Sequence, residues 1–456
     1  MAVQKVAVVG AGASGLTAIK CCLDEGVEPV CFERTDFIGQ WDVKIREKDT
    51  DNEENLVFDA VLVCTGHHAD KNIPEFPGLS DFEGKVIHSH DYKTSEGYED
   101  KNIVIIGIGN SGGDAAVELG RVANQLYLST RRGSWVLNRV ADNGMPIDML
   151  RTNRKNAFLT EILPFSFVNS FLERQLNQRF DHVAYSLKPK HRAFSQHPTM
   201  NDDLPNRIIC GSVIVKPDIK RFTKNGVEFV DGTRVDNLDV VFLATGYTYG
   251  FPFLDKSIID VKNNECDLYK FTFPPHLAKP TLSVIGYIQP LGAIMPISEL
   301  QCRLSLRIFK GEVALPTEKE MRADIAKKHA AMAMRYTHSQ RHTIQVDWIP
   351  FMDELAELNG CKPNIGKLLW TDPFLALRCV FGPCTPYQYR LFGTHKWQGA
   401  REAIMTQWDR TLYPLKTRPL EGTGQLSQSR FFRMYFILVI LFAIFMYIIQ
   451  KCYHSF

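Results

Sequence analysis

The eleven cysteines of this 456-residue chain include no C-x-x-C pair and no cluster with histidine at the spacing of a zinc site. The absence of a C-x-x-C pair argues against enzymes that work through a redox-active dithiol. Scattered cysteines are typical of a reducing compartment. The chain also carries little net charge, +2 at pH 7 with histidine neutral. We therefore expect no metal site and no nucleic-acid partner.

The N-terminus lacks a basic leader and a cleavage site, so no secretory signal is expected there. At the other end, residues 434–449 are sixteen consecutive apolar residues. This run is shorter than the roughly 20 residues that span a bilayer, but tilt or snorkelling of flanking basic residues covers the difference. We predict a linker at 416–430 and a hydrophobic membrane-anchor helix at 431–450. A buried core helix and an in-plane anchor are the alternatives.

A glycine-rich turn follows the apolar strand 5–9, in the pattern G-x-G-x-x-G. The glycines permit a tight turn and a close approach to a pyrophosphate, which the next helix faces with its N-terminus. The second strand ends in Glu33, where a carboxylate binds ribose hydroxyls. The pattern predicts a first dinucleotide cradle, formed by Gly10, Ala11, Gly12, Ala13, Ser14, Gly15 and Glu33.

The same pattern recurs after the strand that begins at Asn102. Here the second strand ends in two arginines and no acid, and guanidinium groups pair with a 2′-phosphate that a carboxylate would repel. The alternative for the two arginines is a solvated strand end. The pattern predicts a second cradle, for NADP, formed by Gly107, Gly109, Asn110, Ser111, Gly112, Gly113, Asp114, Arg131 and Arg132.

Two further strands, 57–66 and 237–247, share an Asp, an apolar run and a terminal Thr-Gly. Buried strands that end in this way bring the backbone close to a cofactor or to a neighbouring domain. Together with the two cradles they predict an α/β flavoprotein in which an NADPH domain is inserted into an FAD domain.

The stretch "FEGKVIHSHDY" matches the pattern F-x-G-x-x-x-H-x-x-x-[FY] through Phe82, Gly84, His88 and Tyr92. With "NQRFDHVAYSLKPKHR", "NDDLPNRI", "IQPLGAIMPISELQ" and "GPCTPYQYRL", it makes nearly the whole chain resemble the flavin-containing monooxygenases, and among these the vertebrate type 5 enzymes. The resemblance implies two nested Rossmann-like domains, which bind FAD and NADPH, and a tail held in the endoplasmic reticulum membrane with the body facing the cytosol. We assign 1–93 and 251–415 to FAD and 94–250 to NADPH, with an insertion at 136–206.

The resemblance also implies the chemistry. NADPH reduces FAD, O2 adds to form a C4a-hydroperoxyflavin, and this species oxygenates soft nitrogen or sulfur nucleophiles or, in type 5 members, inserts oxygen beside a ketone. The expected partners are therefore a small lipophilic substrate, molecular oxygen and, through the tail, membrane lipid. No catalytic side chain is assigned, because the flavin carries the hard step. His88 is either a base or a positioning residue, and we expect the second role for His67 and His68 too.

The stretch "FIGQWDV" departs from the family. There the ribose acid is followed by a segment resembling I-G-G-x-W, then by a long section with an active-site Asn in an N-[ST]-x-K-E-M context, and much later by a strand beginning G-Q-W-x-V. This chain reads Ile38-Gly39-Gln40-Trp41-Asp42-Val43. The sequence therefore predicts an internal deletion after Gly39, which removes the family's Asn and places Gln40 and Trp41 at the flavin site only through their spacing.

Only residues 34–56 separate the ribose acid from the next buried strand. They suffice for one strand and a charged turn, whereas a doubly wound domain usually needs a crossover here to complete its sheet. The adenosine end of the FAD site keeps its residues, but the isoalloxazine end does not. Two alternatives to an active monooxygenase follow: an impaired, membrane-tethered isoform that binds NADPH and holds FAD weakly, and an NADPH oxidase that leaks peroxide.

Overall fold

The computed structural model describes residues 4–32, 41–46, 52–337 and 343–418. The chain divides into two compact units, Met1–Ile404 and Met405–Phe456. Within the described residues the strands are β1 (Lys5–Val9), β2 (Glu28–Phe32), β3 (Trp41–Arg46), β4 (Glu53–Phe58), β5 (Ala60–Val63), β6 (Asp70–Lys71), β7 (Lys85–His88), β8 (Asn102–Ile106), β9 (Gln125–Ser129), β10 (Val136–Leu137), β11 (Thr199–Met200), β12 (Val213–Lys216), β13 (Ile219–Thr223), β14 (Gly226–Phe229), β15 (Arg234–Asp236), β16 (Val240–Leu243), β17 (Tyr247–Thr248), β18 (Leu282–Val284), β19 (Gln289–Pro290) and β20 (Gln345–Val346).

The helices of the same residues are α1 (Ala13–Asp24), α2 (Asn110–Leu119), α3 (Ile147–Arg151), α4 (Arg154–Ile162), α5 (Phe165–Arg179), α6 (Leu204–Ile209), α7 (Ile294–Phe309), α8 (Glu318–Arg335), α9 (Trp348–Leu358), α10 (Ile365–Thr371), α11 (Pro373–Phe381), α12 (Ala400–Met405) and α13 (Gln407–Leu412). The mixture of parallel strands and helices confirms the predicted α/β class. None of these helices is long and apolar enough to cross a membrane. The predicted anchor at 431–450 lies outside the described residues.

The first sheet is parallel, with strand order β18-β5-β1-β2. Its central strand β1 is apolar on both faces, and Val6, Ala7, Val8 and Val9 are all buried. Such strands are typical of parallel sheets that helices cover on both sides. Helix α1 packs beside α7 and covers one face. The first glycine turn begins at the carboxyl end of β1.

The second sheet is also parallel, with strand order β12-β9-β8-β16-β7. The second glycine turn follows its central strand β8, so the two turns belong to different sheets. Strand β7, which the predicted division gives to the FAD domain, forms an edge of this NADPH-side sheet. The domain boundaries themselves stay a prediction.

Between the first glycine turn and β5, strands β3 and β4 form an antiparallel sheet of their own, with Trp41 opposite Phe58. The strand that residues 34–56 were expected to form is present as β3, but residues 53–55, which were expected in the charged turn, belong to β4 because they pair with β3. The described part of the first sheet thus contains four strands, and the hairpin does not extend it.

Candidate functional site

The first cradle is closed by contact between its glycines and the end of β5. Gly10 has a φ of +103°, and a Cβ on it would stand 2.7 Å from the carbonyl oxygen of Cys64. A Cβ on Gly15 would stand 1.8 Å from the carbonyl oxygen of Gly10. Both positions therefore require glycine, because any side chain would overlap backbone atoms.

The second cradle repeats this geometry. Gly107 has a φ of +108°, and its Cβ would stand 2.5 Å from the carbonyl oxygen of Ala244. A Cβ on Gly112 would stand 2.0 Å from the carbonyl oxygen of Gly107. Cys64 and Ala244 each precede Thr-Gly, so both Thr-Gly strands approach a glycine turn closely.

The middle glycine of each turn differs from the outer two. Among the described residues, no heavy atom outside the immediate neighbours lies within 4 Å of a Cβ built on Gly12 or on Gly109. These two residues are the N-caps of α1 and α2, and neither helix has an acidic residue in its first turn. A helix N-terminus with free backbone N–H groups attracts a phosphate. The open space and the N–H groups therefore fit a pyrophosphate in both cradles.

The remaining residues of the first cradle divide into two groups. Ala11 and Ala13 are exposed at the turn. Ser14 is buried, and its hydroxyl lies 2.9 Å from the hydroxyl of Ser298 on α7. Its side chain therefore joins α1 to α7, so Ser14 has a packing role that the sequence pattern did not predict. Glu33 and Gln40 lie outside the described residues.

The second cradle is hydrogen-bonded to residues 199–201 at the end of the insertion. The backbone N–H of Met200 donates to Asn110 Oδ1 at 2.8 Å, and Asn201 Nδ2 donates to Asp114 Oδ1 at 2.9 Å. The hydroxyl of Thr199 donates to the carbonyl oxygen of Ile108. Sequence reasoning missed these contacts, although "NDDLPNRI" begins at Asn201. Ser111 and Gly113 lie on α2 beside them.

Arg131 and Arg132 follow β9 and are both exposed. Strand β9 pairs with β8 so that Ser129 lies opposite Ile106, which places the two arginines at the same sheet edge as the glycine turn. Among the described residues neither guanidinium forms a hydrogen bond or an ion pair. They are therefore free to pair with a ligand, and their role toward a 2′-phosphate stays a prediction.

Trp41 lies at the opposite edge of the first sheet from the cradle. Its indole Nε1 donates to the hydroxyl of Thr281 at 3.0 Å, and Thr281 precedes β18 at the level of Val6 in β1. Gly10 lies four residues beyond Val6, which is about 13 Å further along the strand direction at roughly 3.3 Å per residue. The structure therefore does not bring Trp41 together with the glycine turn.

The histidine of the sequence pattern has a fixed position. His88 Nε2 lies 3.1 Å from the carbonyl oxygen of Gly246, and its Nδ1 accepts from the backbone N–H of His90 at 3.1 Å. Burial lowers the pKa of His88. Both ring nitrogens are thus used by the backbone, which favours the positioning role. Burial also lowers the pKa of His67 to about 3, with a contribution from nearby His68, and burial lowers the pKa of His68.

The sequence model of the family described as FMO-like, flavin-binding monooxygenase-like, matches residues 3–39 and 37–449. The match covers most of the chain, but it is interrupted. Its two segments meet at residues 37–39, where the sequence predicts the junction. This interruption supports a missing segment after Gly39.

Flavin-containing monooxygenase 5 of Cavia porcellus is 45% identical over 533 aligned positions, which include 98% of this chain and 99% of that protein. Because 98% of 456 residues is about 447, about 86 of the 533 positions have no residue from this chain. A protein of nearly full-length similarity therefore has several dozen residues that this chain lacks.

Two solved structures share the fold at low sequence identity. The structure of S-allyl-L-cysteine S-oxygenase from Allium sativum is 21% identical, with a TM-score of 0.55, and the match covers 91% of this chain and all of that one. OTEMO in complex with FAD and NADP (form 3) is 14% identical, with a TM-score of 0.56, over 78% of this chain and 97% of that one. Both likenesses concern the α/β architecture.

Proposed function

The chain belongs to the flavin-binding monooxygenase-like family, whose members are enzymes that use FAD and NADPH, and we propose that it oxygenates small lipophilic molecules with O2. The proposed substrates are soft nitrogen or sulfur nucleophiles and ketones. The observation that carries the proposal is the pair of glycine turns in separate sheets, each with open space at a helix N-terminus beside its middle glycine.

Each cradle has a distinct part in this proposal. The turn around Gly12 would hold the pyrophosphate of FAD, and the turn around Gly109 that of NADPH, with Arg131 and Arg132 toward the 2′-phosphate. The bound flavin supplies the redox and oxygen chemistry. The chain's own residues bind and orient the two dinucleotides, and the backbone contacts of His88 hold the loop beside Gly246 in place.

The test is NADPH-dependent product formation by the purified full-length chain. Methyl phenyl sulfide and octan-2-one serve as substrates, and the sulfoxide and the ester are quantified by mass spectrometry. Product at a rate that matches NADPH consumption supports the proposal. NADPH consumption with neither product contradicts it.

A second candidate function is an impaired isoform that binds NADPH and holds FAD weakly. It is favoured for the chain as it stands by the interruption of the family match at 37–39 and by the position of Trp41 at the far edge of the sheet. The residues that would clamp the flavin ring belong to the segment that the chain lacks. A flavin held without this segment would be open to water, and O2 that oxidised the reduced flavin would then leave as hydrogen peroxide.

Flavin content separates the two candidates. The absorbance of the purified protein in the flavin band gives FAD per chain, and a peroxidase-coupled assay gives peroxide per NADPH oxidised. The first candidate requires near-stoichiometric FAD and little peroxide. Low FAD content together with intact NADPH binding supports the second, and peroxide equal to the NADPH consumed would mark an oxidase.

We also propose that residues 431–450 anchor the protein in the endoplasmic reticulum membrane, with the body in the cytosol. The sixteen apolar residues 434–449 support the anchor. Nine cysteines among the described residues are free thiols, as a reducing compartment favours,.

A further inference from the structure

Two cavities lie on either side of one ion pair. The inner cavity has a volume of about 70 Å³, and the wider, solvent-facing outer cavity about 280 Å³. Arg335 Nη1 and Asp347 Oδ2 are 2.5 Å apart and border both cavities. Tyr336, Gln345 and Val346 also border both, so among the described residues these five side chains lie between the two spaces.

The inner cavity has mainly apolar walls, and its volume is too small for a substrate. The insertion provides many of its side chains, among them Leu137, Leu172, Leu176, Ala193 and Phe194, and Trp135 directly precedes the insertion. Small-molecule sites usually measure about 300–1,000 Å³. The two volumes together, about 350 Å³, reach that range. A ligand of this size would therefore require that the two cavities join.

One wall of the inner cavity is connected to the second cradle. Leu137 of β10 and Pro198, which precedes β11, both line the cavity. The next residues, Thr199 and Met200, hydrogen-bond to the cradle at Ile108 and Asn110. A ligand in the inner cavity would thus lie close to the proposed NADPH site.

The opposite wall is connected to the first sheet. Leu291 follows β19, and Val346 lies in β20, which pairs with β19. Strand β19 comes after β18 at the carboxyl edge of the first sheet, the edge on which the first glycine turn lies. The inner cavity therefore lies between the second cradle and the segment that follows β18 of the first sheet.

Asp347 has a second possible partner. It is the N-cap residue of α9, yet its side chain accepts no capping hydrogen bond and pairs with Arg335 instead. An aspartate at an N-cap normally accepts from the backbone N–H groups of the first turn. Asp372 does so in this chain, accepting from the N–H of Leu375 at 3.1 Å at the start of α11. The carboxylate of Asp347 therefore has two positions available, one that pairs with Arg335 and one that caps α9.

Arg335 is held in the closed position by more than the ion pair. Its guanidinium lies 5.1 Å from the ring centroid of Tyr336 and 5.7 Å from that of Phe194. A cation at such distances is attracted to the face of an aromatic ring. Arg335 Nε also donates to the carbonyl oxygen of Phe194 at 3.4 Å. Rotation of the Asp347 side chain to cap α9 would remove the paired carboxylate, and the arginine would then move into the outer cavity by giving up its contacts with Phe194 and Tyr336.

We propose that the Arg335–Asp347 pair is a gate between the outer and the inner cavity, and that its opening joins the two into one binding chamber. The chamber would take a small neutral molecule with an apolar body and one hydrogen-bond acceptor, such as a ketone. That ligand class rests on the proposed function, whereas the gate rests on the ion pair and the vacant cap. Ligand entry then depends on whether the carboxylate of Asp347 pairs with Arg335 or caps α9.

The test measures binding of 4-fluorobutyrophenone to the purified full-length chain in micelles by ¹⁹F NMR, with empty micelles as the blank. Asp347→Asn keeps an N-cap side chain but loses the charge, and Arg335→Gln loses the cation. We expect each to raise the ligand exchange rate at least fivefold. Asp372→Asn is the matched control, since Asp372 is also an N-cap and pairs with Arg401 at 2.6 Å, and its exchange rate should stay within twofold of the wild type.

Two variants that fill the chamber locate the bound ligand. Leu176→Trp and Ala193→Leu act from different elements of the wall and should each abolish the NMR effect. Equal exchange rates in the wild type and both gate variants, binding that survives both filling variants, or no binding to any variant would overturn the proposal. Circular dichroism confirms folding. The measurement uses no coenzyme and no turnover. A negative result would therefore overturn the gate without bearing on the proposed monooxygenase function.

Discussion

The indole Nε1 of Trp41 donates to the hydroxyl of Thr281 at 3.0 Å, at the amino edge of the first sheet. Trp41 is buried there, opposite Phe58 in the β3–β4 hairpin. In a parallel sheet of this type, dinucleotides bind at the carboxyl edge. The hairpin after the junction therefore supports the base of the first sheet and leaves the cradle edge without the residues that the missing segment would supply.

Removal of the two arginines after β9 should change the choice of coenzyme. Replacing Arg131 and Arg132 with Ala should weaken NADPH binding by about 1.5–3 kcal/mol for each lost charge-assisted bond to the 2′-phosphate. NADH binding should change little, because NADH has no such phosphate. Titration calorimetry with both coenzymes measures the difference, and Arg174→Ala, an exposed arginine of α5, is the control. Equal losses for both coenzymes would show that the arginines do not contact the phosphate.

Alanine substitutions at two glycines of the second cradle should affect stability and NADPH binding differently. Gly109→Ala adds a Cβ that has no atom of the described residues within 4 Å beyond its chain neighbours. The variant should therefore lose less than about 1 kcal/mol of stability, while NADPH affinity falls at least about tenfold. Gly107→Ala must adopt a positive φ and overlap the carbonyl of Ala244, so we expect a loss of about 2 kcal/mol or more in stability. Denaturant unfolding and coenzyme titration check the two effects. A Gly109→Ala variant with unchanged affinity would place the pyrophosphate elsewhere.

The glycine turns could be predicted from sequence because their requirements are local: a strand, three glycines at fixed spacing and a helix. Trp41 could not be placed in this way. Its partner Thr281 is 240 residues away in the chain, and no local pattern indicates that hydrogen bond. The contact between Met200 and Asn110 joins residues 90 apart and was missed for the same reason. Sequence reasoning thus identified the cradles but not the contacts that surround them.

Acidification should destabilise the fold through His182. This buried ring accepts the backbone N–H of Val136 at Nε2, at 3.1 Å, while Nδ1 lies 2.9 Å from Asn177 Oδ1. Burial lowers the pKa of His182 to about 4, below its ordinary value of 6.5. Between these values the unfolded chain binds the extra proton, so stability is complete above pH 6.5 and falls toward pH 4 by up to about 1.4 kcal/mol per pH unit.

The measurement is urea unfolding of wild type and His182→Gln at pH 7 and pH 5. Wild type should lose about 2 kcal/mol more than the variant over this interval. The variant also loses stability at pH 7, but that loss does not enter the difference. An equal pH dependence in both proteins would show that His182 does not titrate in this way.

Deletion of residues 431–456 should release the protein from microsomal membranes. The apolar run 434–449 is the proposed attachment, and burial of that many apolar side chains far exceeds the binding energy of a surface contact,. Fractionation after a high-salt wash checks this, with the full-length chain as the control. A truncated protein that still sediments with membranes would have to be held by another surface.

Restoring the missing segment should raise the amount of FAD bound per chain. The second cradle has its strand, three glycines, helix and terminal arginines in unbroken order, and the match to the family continues through it. The first cradle keeps Gly10, Gly12 and Gly15, but the match breaks at residues 37–39. If the second candidate, the impaired isoform, describes the chain as given, it should bind NADPH, hold FAD at well below one per chain, and form little sulfoxide or ester. A version that carries the corresponding segment of Flavin-containing monooxygenase 5 from Cavia porcellus after Gly39 should approach one FAD per chain and form product. Equal FAD occupancy and turnover in the two forms would mean that the four-stranded sheet and the β3–β4 hairpin suffice to hold the flavin, and that the segment is dispensable.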